Sequence, residues 1–110
     1  MRILLDECLP ARLRGDLPGH EVQTVPRAGW ASIKNGRLLR LIADSAQFAI
    51  FLTVDKSLPH ENKTSTLPFA VVVLRAKSNR FEDTHPLMPE VFRRLGEFQP
   101  GHVYIIAAPE

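Results

Sequence analysis

Two short apolar runs in this chain end in carboxylates. Ile3-Leu4-Leu5 leads straight into Asp6 and Glu7, and the run Phe48 to Thr53 is followed one residue later by Asp55. Carboxylates packed together repel, and one of them keeps its proton unless a cation sits between them. A hard divalent ion is the natural partner. Mg²⁺ is typically held by one or two carboxylates, keeps several waters and takes substrate phosphates as further ligands. Such a site polarises a phosphodiester and generates a hydroxide nucleophile, so the chemistry implied is phosphoryl transfer or phosphodiester hydrolysis. Each acid also has a purely structural reading. Asp6 or Glu7 favours the positive end of a helix starting near Pro10, and Asp55 closes a strand as a turn residue.

The acids can meet only if the elements carrying them are neighbours. Arg2–Leu5 is short and apolar and reads as a strand buried on both faces. Pro10 suits the first turn of a helix, along which Leu9, Leu13 and Leu17 recur at helical spacing until Pro18-Gly19. Glu21–Val25 reads as a modest second strand. Pro26 to Ser32 is a loop carrying the only tryptophan, Trp30, as a core anchor. Asn35 is placed to cap a helix whose apolar face is Leu38, Leu39, Leu41, Ile42 and Ala46. Phe48–Thr53 and Phe69–Leu74 are strongly apolar strands, and the polar stretch between them, Lys56 to Thr66, has no helical period. A helix starting near Pro86 packs through Leu87, Val91, Leu95 and Phe98, and Val103–Ala107 is the last strand. Alternating strands and helices predict an α/β fold: a central, mostly parallel sheet of about five strands flanked by helices on both faces. In such sheets ligands bind beyond the carboxyl ends of the strands, where adjacent connections leave in opposite directions. A central first strand with one βαβ unit on each side would bring Asp6 and Asp55 to that crevice.

The 110 residues predict one domain spanning 1–110. A 45% hydrophobic and 24% charged composition is that of an ordinary globular domain. No apolar stretch approaches the ~20 residues needed to span a bilayer. No basic segment precedes a long apolar run at the start, so no signal peptide is expected. One cysteine, Cys8, rules out an intramolecular disulfide and fits a cytoplasmic setting; it reads as a small packing residue. The net charge of +2 tolerates a polyanionic partner without demanding one. His20, His60, His85 and His102 lack metal-ligand spacing, and the glycines form no phosphate-binding loop.

The segments LLDECLP, GHEV, GWASIKNGRLL, FLTVDKSLP and VVVLRAKSNR, in this order from Met1 to about Gly101, resemble a family of short bacterial PIN-like proteins. These are grouped with the PIN-domain ribonucleases and often regarded as toxins of toxin–antitoxin pairs. The resemblance implies a PIN-like fold, an acidic pocket dependent on Mg²⁺ or Mn²⁺, cleavage of single-stranded RNA, and a small antitoxin protein as partner. By position, Asp6 matches the acid ending the first strand, and Asp55 the acid of the T-x-D motif Thr53-Val54-Asp55. Asp6 and Asp55 would bind the metal, Glu7 would assist or orient water, and Thr53, Ser57 and Asn79 would support the pocket. Two positions depart from the family pattern. Relatives tend to carry an acid where Arg37 stands in Lys34-Asn35-Gly36-Arg37-Leu38-Leu39, and other branches often carry an aspartate at Ser57. That leaves Asp6, Glu7 and Asp55 as the acidic set, and makes either a weakly metal-binding site or a catalytically dead one an open alternative.

Phosphates approaching the carboxyl rim of the sheet would meet Lys34, Arg37, Lys56, Lys77 and Arg80. Two other readings stay open. A phospho-receiver domain also has an acid pair after its first strand and an accepting aspartate after its third. It needs in addition a lysine ending the last strand, where this chain reads Ala107-Ala108-Pro109, and a helix between Asp55 and the next strand. A non-catalytic binding module, seated on an antitoxin-like partner, is the third. The basic rim and the apolar last strand permit a homodimer.

Overall fold

The computed structural model describes residues 1–108. Five strands form one sheet: β1 (Arg2–Leu5), β2 (Glu21–Thr24), β3 (Ile50–Thr53), β4 (Ala70–Arg75) and β5 (Val103–Ala107). Their spatial order is β2-β1-β3-β4-β5, and every neighbouring pair is parallel. The α/β class with a central parallel sheet is therefore as the sequence predicts, and the order is that of the flavodoxin-like doubly wound sheets. The three strands β1, β3 and β4 read as continuous apolar runs for the expected reason, because both faces of a parallel sheet are covered: Leu4, Leu5, Phe51, Leu52, Val71 and Val72 have no exposed surface.

Side-chain alternation along the strands divides the core into two layers. Ile3, Leu5, Leu52 and Val72 point to one face and meet Leu9, Leu13 and Leu17 together with Leu87, Val91 and Leu95. Leu4, Phe51, Val71 and Val73 point to the other and meet Leu38, Leu39, Ile42 and Leu58. Helices α1 (Asn35–Ser45) and α2 (Leu58–Glu61) thus lie on one side of the sheet. The 3-10 segment Ala11–Asp16 and helix α4 (Met88–Arg94) lie on the other. The connection leaving β1 and the connection leaving β3 consequently depart to opposite faces, and the switch point of the sheet falls between these two adjacent strands. None of the described helices is long and apolar enough to cross a membrane.

Several local expectations are corrected. The segment after Pro10 is a 3-10 helix, Ala11–Asp16, rather than an α-helix, though Leu9, Leu13 and Leu17 still bury on one face. The helix expected to start near Pro86 is instead a 3-10 turn His85–Leu87, α4 and a 3-10 turn Leu95–Glu97, preceded by a further helical turn, α3 (Phe81–Thr84). Pro86 and Pro89 each lack the N–H that a continuous helix would use, so the ladder is interrupted there. The stretch Lys56–Thr66 holds the single turn α2, fixed by the fully buried Leu58. Phe48 and Phe69 precede β3 and β4 rather than belonging to them. Asn35 is the first residue of α1, whose cap is Lys34. Trp30 anchors its loop as expected, packing edge-on against Phe48 with ring centres 6.3 Å apart.

Candidate functional site

Register places the two aspartates at one rim. Leu5 pairs with Leu52 across β1 and β3, and the ladder continues one step, the Asp6 N–H donating to the Leu52 carbonyl at 2.9 Å. Thr53, the last residue of β3, has no exposed surface. Its hydroxyl donates to Asp6 Oδ2 at 2.6 Å and accepts from the Asp55 backbone N–H at 3.1 Å. A single buried hydroxyl therefore couples the carboxylate of Asp6 to the main chain of Asp55 across the switch point. This is the convergence that the strand-end placement implies, between residues 49 positions apart in the chain.

The two carboxylates occupy opposite environments. Asp6 is 7% exposed. Burial pushes its carboxyl above the ordinary carboxylate range, outweighing the hydrogen bonds from Thr53 and from the Glu7 N–H, the latter at 2.8 Å. Among the described residues no Lys, Arg or His nitrogen lies within 4.0 Å of either aspartate. Asp55 is held below its usual range, chiefly by the Ser57 hydroxyl. That hydroxyl donates to Oδ1 at 2.7 Å, the Ser57 N–H adds 3.0 Å, and Asn35 Nδ2 donates to Oδ2 at 2.8 Å. Burial thus disfavours the charged form of Asp6, while hydrogen bonds favour the charged form of Asp55. Cys8 packs beneath this pair, and burial together with the Asp6 charge pushes its thiol up to about 11; it is a packing residue here, not a nucleophile.

The oxygen donors of Asp6, Thr53 and Asp55 are all hard. A buried carboxylate without a cationic partner is what a divalent ion would relieve. Hard oxygen donors of this kind suit Mg²⁺ or Mn²⁺ rather than a softer ion. They do not form a closed cage, since among the described residues no group of three or more His, Cys, Asp or Glu converges on one point.

The other site residues expected from the sequence are distributed differently. Both carboxylate oxygens of Glu7 accept from the Ser32 N–H at 3.0 and 3.3 Å, holding the loop where Ser32 has a positive φ of 65°. Glu7 thus ties this loop, while its charge adds to the terms that raise the Asp6 carboxyl. Lys34 lies at the start of α1, beside Asn35, and Arg37 is exposed one turn on. Lys56 follows Asp55 and is exposed. Lys77, Asn79 and Arg80 follow β4 at the same rim, but Arg80 is turned to Glu82 and Asp83, at 3.5 and 3.7 Å. Among the described residues no hydrogen bond ties Asn79 to the aspartates, whereas Ser57 and Thr53 both touch them. Asn35 is the site residue that sequence reasoning misplaced. Its amide looks like a helix cap, and only the proximity of the β3 terminus shows it to be a ligand of Asp55. No family model, no curated protein and no solved structure matches the chain.

Proposed function

We propose that this protein is a PIN-like, divalent-metal-dependent endoribonuclease acting on single-stranded RNA, in the manner of a bacterial toxin with a small antitoxin partner. The observation that carries the reading is the coupling of Asp6 to Asp55 through Thr53 at the switch point of a parallel sheet. The motif resemblance supports the substrate, and the lone unpaired Cys8 fits a cytoplasmic setting. A divalent ion bound there supplies Lewis-acid polarisation of a phosphodiester and an acidified water. The chain's own residues set the stage for it. Asn35 and Ser57 hold Asp55 ionised and fix the direction of its oxygens, and Thr53 fixes Asp6 against it. Lys34, Arg37 and Lys56 stand free at the rim to meet phosphates, a sequence-independent contact.

The test is cleavage of a single-stranded RNA in Mg²⁺ or Mn²⁺ by the protein and by an Asp6→Asn, Asp55→Asn variant purified alike. The expected outcome is metal-dependent cleavage that falls by about a hundredfold or more in the variant. Equal cleavage by both refutes the assignment. The strand order favours one second reading, the phospho-receiver, which shares it. Against it, α2 is only one turn and β5 ends on Ala107, while Pro109 lies outside the described residues. Incorporation of phosphate from acetyl phosphate at Asp55, lost in Asp55→Asn, would decide for the receiver.

A further inference from the structure

The sheet is unevenly covered. On the side carrying α1 and α2, the cover buries Val71 and Val73 of β4 but does not extend over β5, because the connection from β3 to β4 contributes one helical turn and no more. At the margin of this cover β4 and β5 leave a cleft of about 380 Å³, floored by Val73, Val103 and Ile105 and rimmed by Lys56, His60 and Arg75. Ile105 is 53% exposed, the most exposed of the large apolar side chains described.

The edge beside this cleft is open as well. β5 is the last strand in the sheet order, and its five residues, VYIIA, include no charge and no proline. Edge strands are ordinarily protected by charges, prolines, bulges or a covering element. The opposite edge, β2, carries Glu21, paired to Arg2 at 3.0 Å. The charge around the cleft has a single sign. No carboxylate lines it, and among the described residues neither Lys56, His60 nor Arg75 has an acid within 4.0 Å. An apolar floor, a cationic rim without counter-charges and an open strand edge specify one kind of occupant.

We infer that this surface docks an extended peptide segment of a protein partner, whose cleft-facing positions, every second residue, carry both apolar side chains and Asp or Glu. The segment adds as a strand along β5, its main chain satisfied by the open edge. The side chains on the cleft side of the strand, every second residue, supply both the apolar groups that meet Val103 and Ile105 and the carboxylates that face Arg75 and Lys56, where complementary charge sets selectivity. The surface lies apart from the Asp6–Thr53–Asp55 network, although Lys56 is common to both neighbourhoods. The inference does not depend on the nuclease reading.

The test uses fluorescein-labelled Ac-ETVTET-NH2 as probe, whose first, third and fifth residues share one face of a strand, and Ac-KTVTKT-NH2 as control, read by fluorescence anisotropy against the full chain. The acidic probe should bind at least about tenfold more tightly than the basic one. Arg75→Glu and Ile105→Asp should each weaken it about tenfold or more. Both positions are exposed, and an unchanged melting temperature confirms that the variants fold. Asp6→Asn should leave binding as it is. Equal affinity for the two peptides, no binding of either, or binding indifferent to Arg75→Glu and Ile105→Asp overturns the inference. So does a dimer in sedimentation velocity that Ile105→Asp dissolves and the acidic peptide does not, since the occupant would then be a second copy.

Discussion

Asp6 is the residue on which burial and function press hardest. Its carboxyl is raised by burial, so the folded state binds its proton more tightly than the unfolded chain does. The contribution of such a group to stability is fully present below the unfolded value, near 3.8, and is lost as pH rises through the higher folded value. Asp55 acts in the opposite sense. Its lowered value gives a contribution present above the unfolded value and lost as pH falls through the folded one. Asp6→Asn removes the first term and leaves the second. In chelator-treated buffer, the urea-unfolding free energy of the wild type minus that of Asp6→Asn should therefore decline as pH is raised from about 3 through 6. A difference that stays flat or rises would show that burial does not govern this carboxyl.

Among the elements, α1 matters most, because it both covers one face of the sheet and delivers Asn35 to Asp55. It ends on Ala46 at φ 53° and ψ 28°, a left-handed conformation that glycine adopts without strain and alanine does not. Ala46 is exposed, so nothing is lost in packing when its methyl is removed. Ala46→Gly should stabilise the fold by about 0.5–1 kcal/mol, measured as a raised urea midpoint with an unchanged slope. A lowered midpoint would mean that the flexibility glycine gives the unfolded chain outweighs the relieved strain. The helix carries no acid in its first turn and starts without a side-chain cap. Asn35 is drawn into the site instead of the cap, so a local helix signal has yielded to a tertiary contact.

Across the chain as one body, the approach of the last strand to the β3–β4 connection is the tightest constraint. Gly101 has φ 78°, and a Cβ there would lie 2.6 Å from the Ser65 carbonyl oxygen. That oxygen belongs to backbone and cannot swing aside. Gly101→Ala should cost roughly 1–3 kcal/mol or more, read as a lower thermal midpoint. A neutral result would show that the 62–67 connection yields easily, and hence that β5 is less firmly docked than its pairing with β4 implies. The same docking fixes Val103 and Ile105 beside Val73, so the peptide surface and the fold share this constraint.

The strands were legible because burial on both faces leaves continuous apolar runs, and the acids at their ends because a polar residue closing such a run needs a reason. The α1 and α4 faces were legible for the same cause, with Leu38, Leu39, Ile42, Val91 and Leu95 buried where their spacing puts them. The amino-acid order did not reveal which strands are neighbours. Nothing in Leu5 or Leu52 names the other, and the β2-β1-β3 order follows from how two layers of side chains close over a common sheet. Nor could it show that Glu7 turns to Ser32, that Asn35 serves Asp55, or that Arg80 is spent on Glu82 and Asp83. Hydrogen bonds and ion pairs of this kind depend on distances of a few tenths of an ångström, set by packing and not by spacing along the chain. Residue types gave the two aspartates their chemistry; the adjacency of β1 and β3, with the Thr53 hydroxyl between them, made the pair a site.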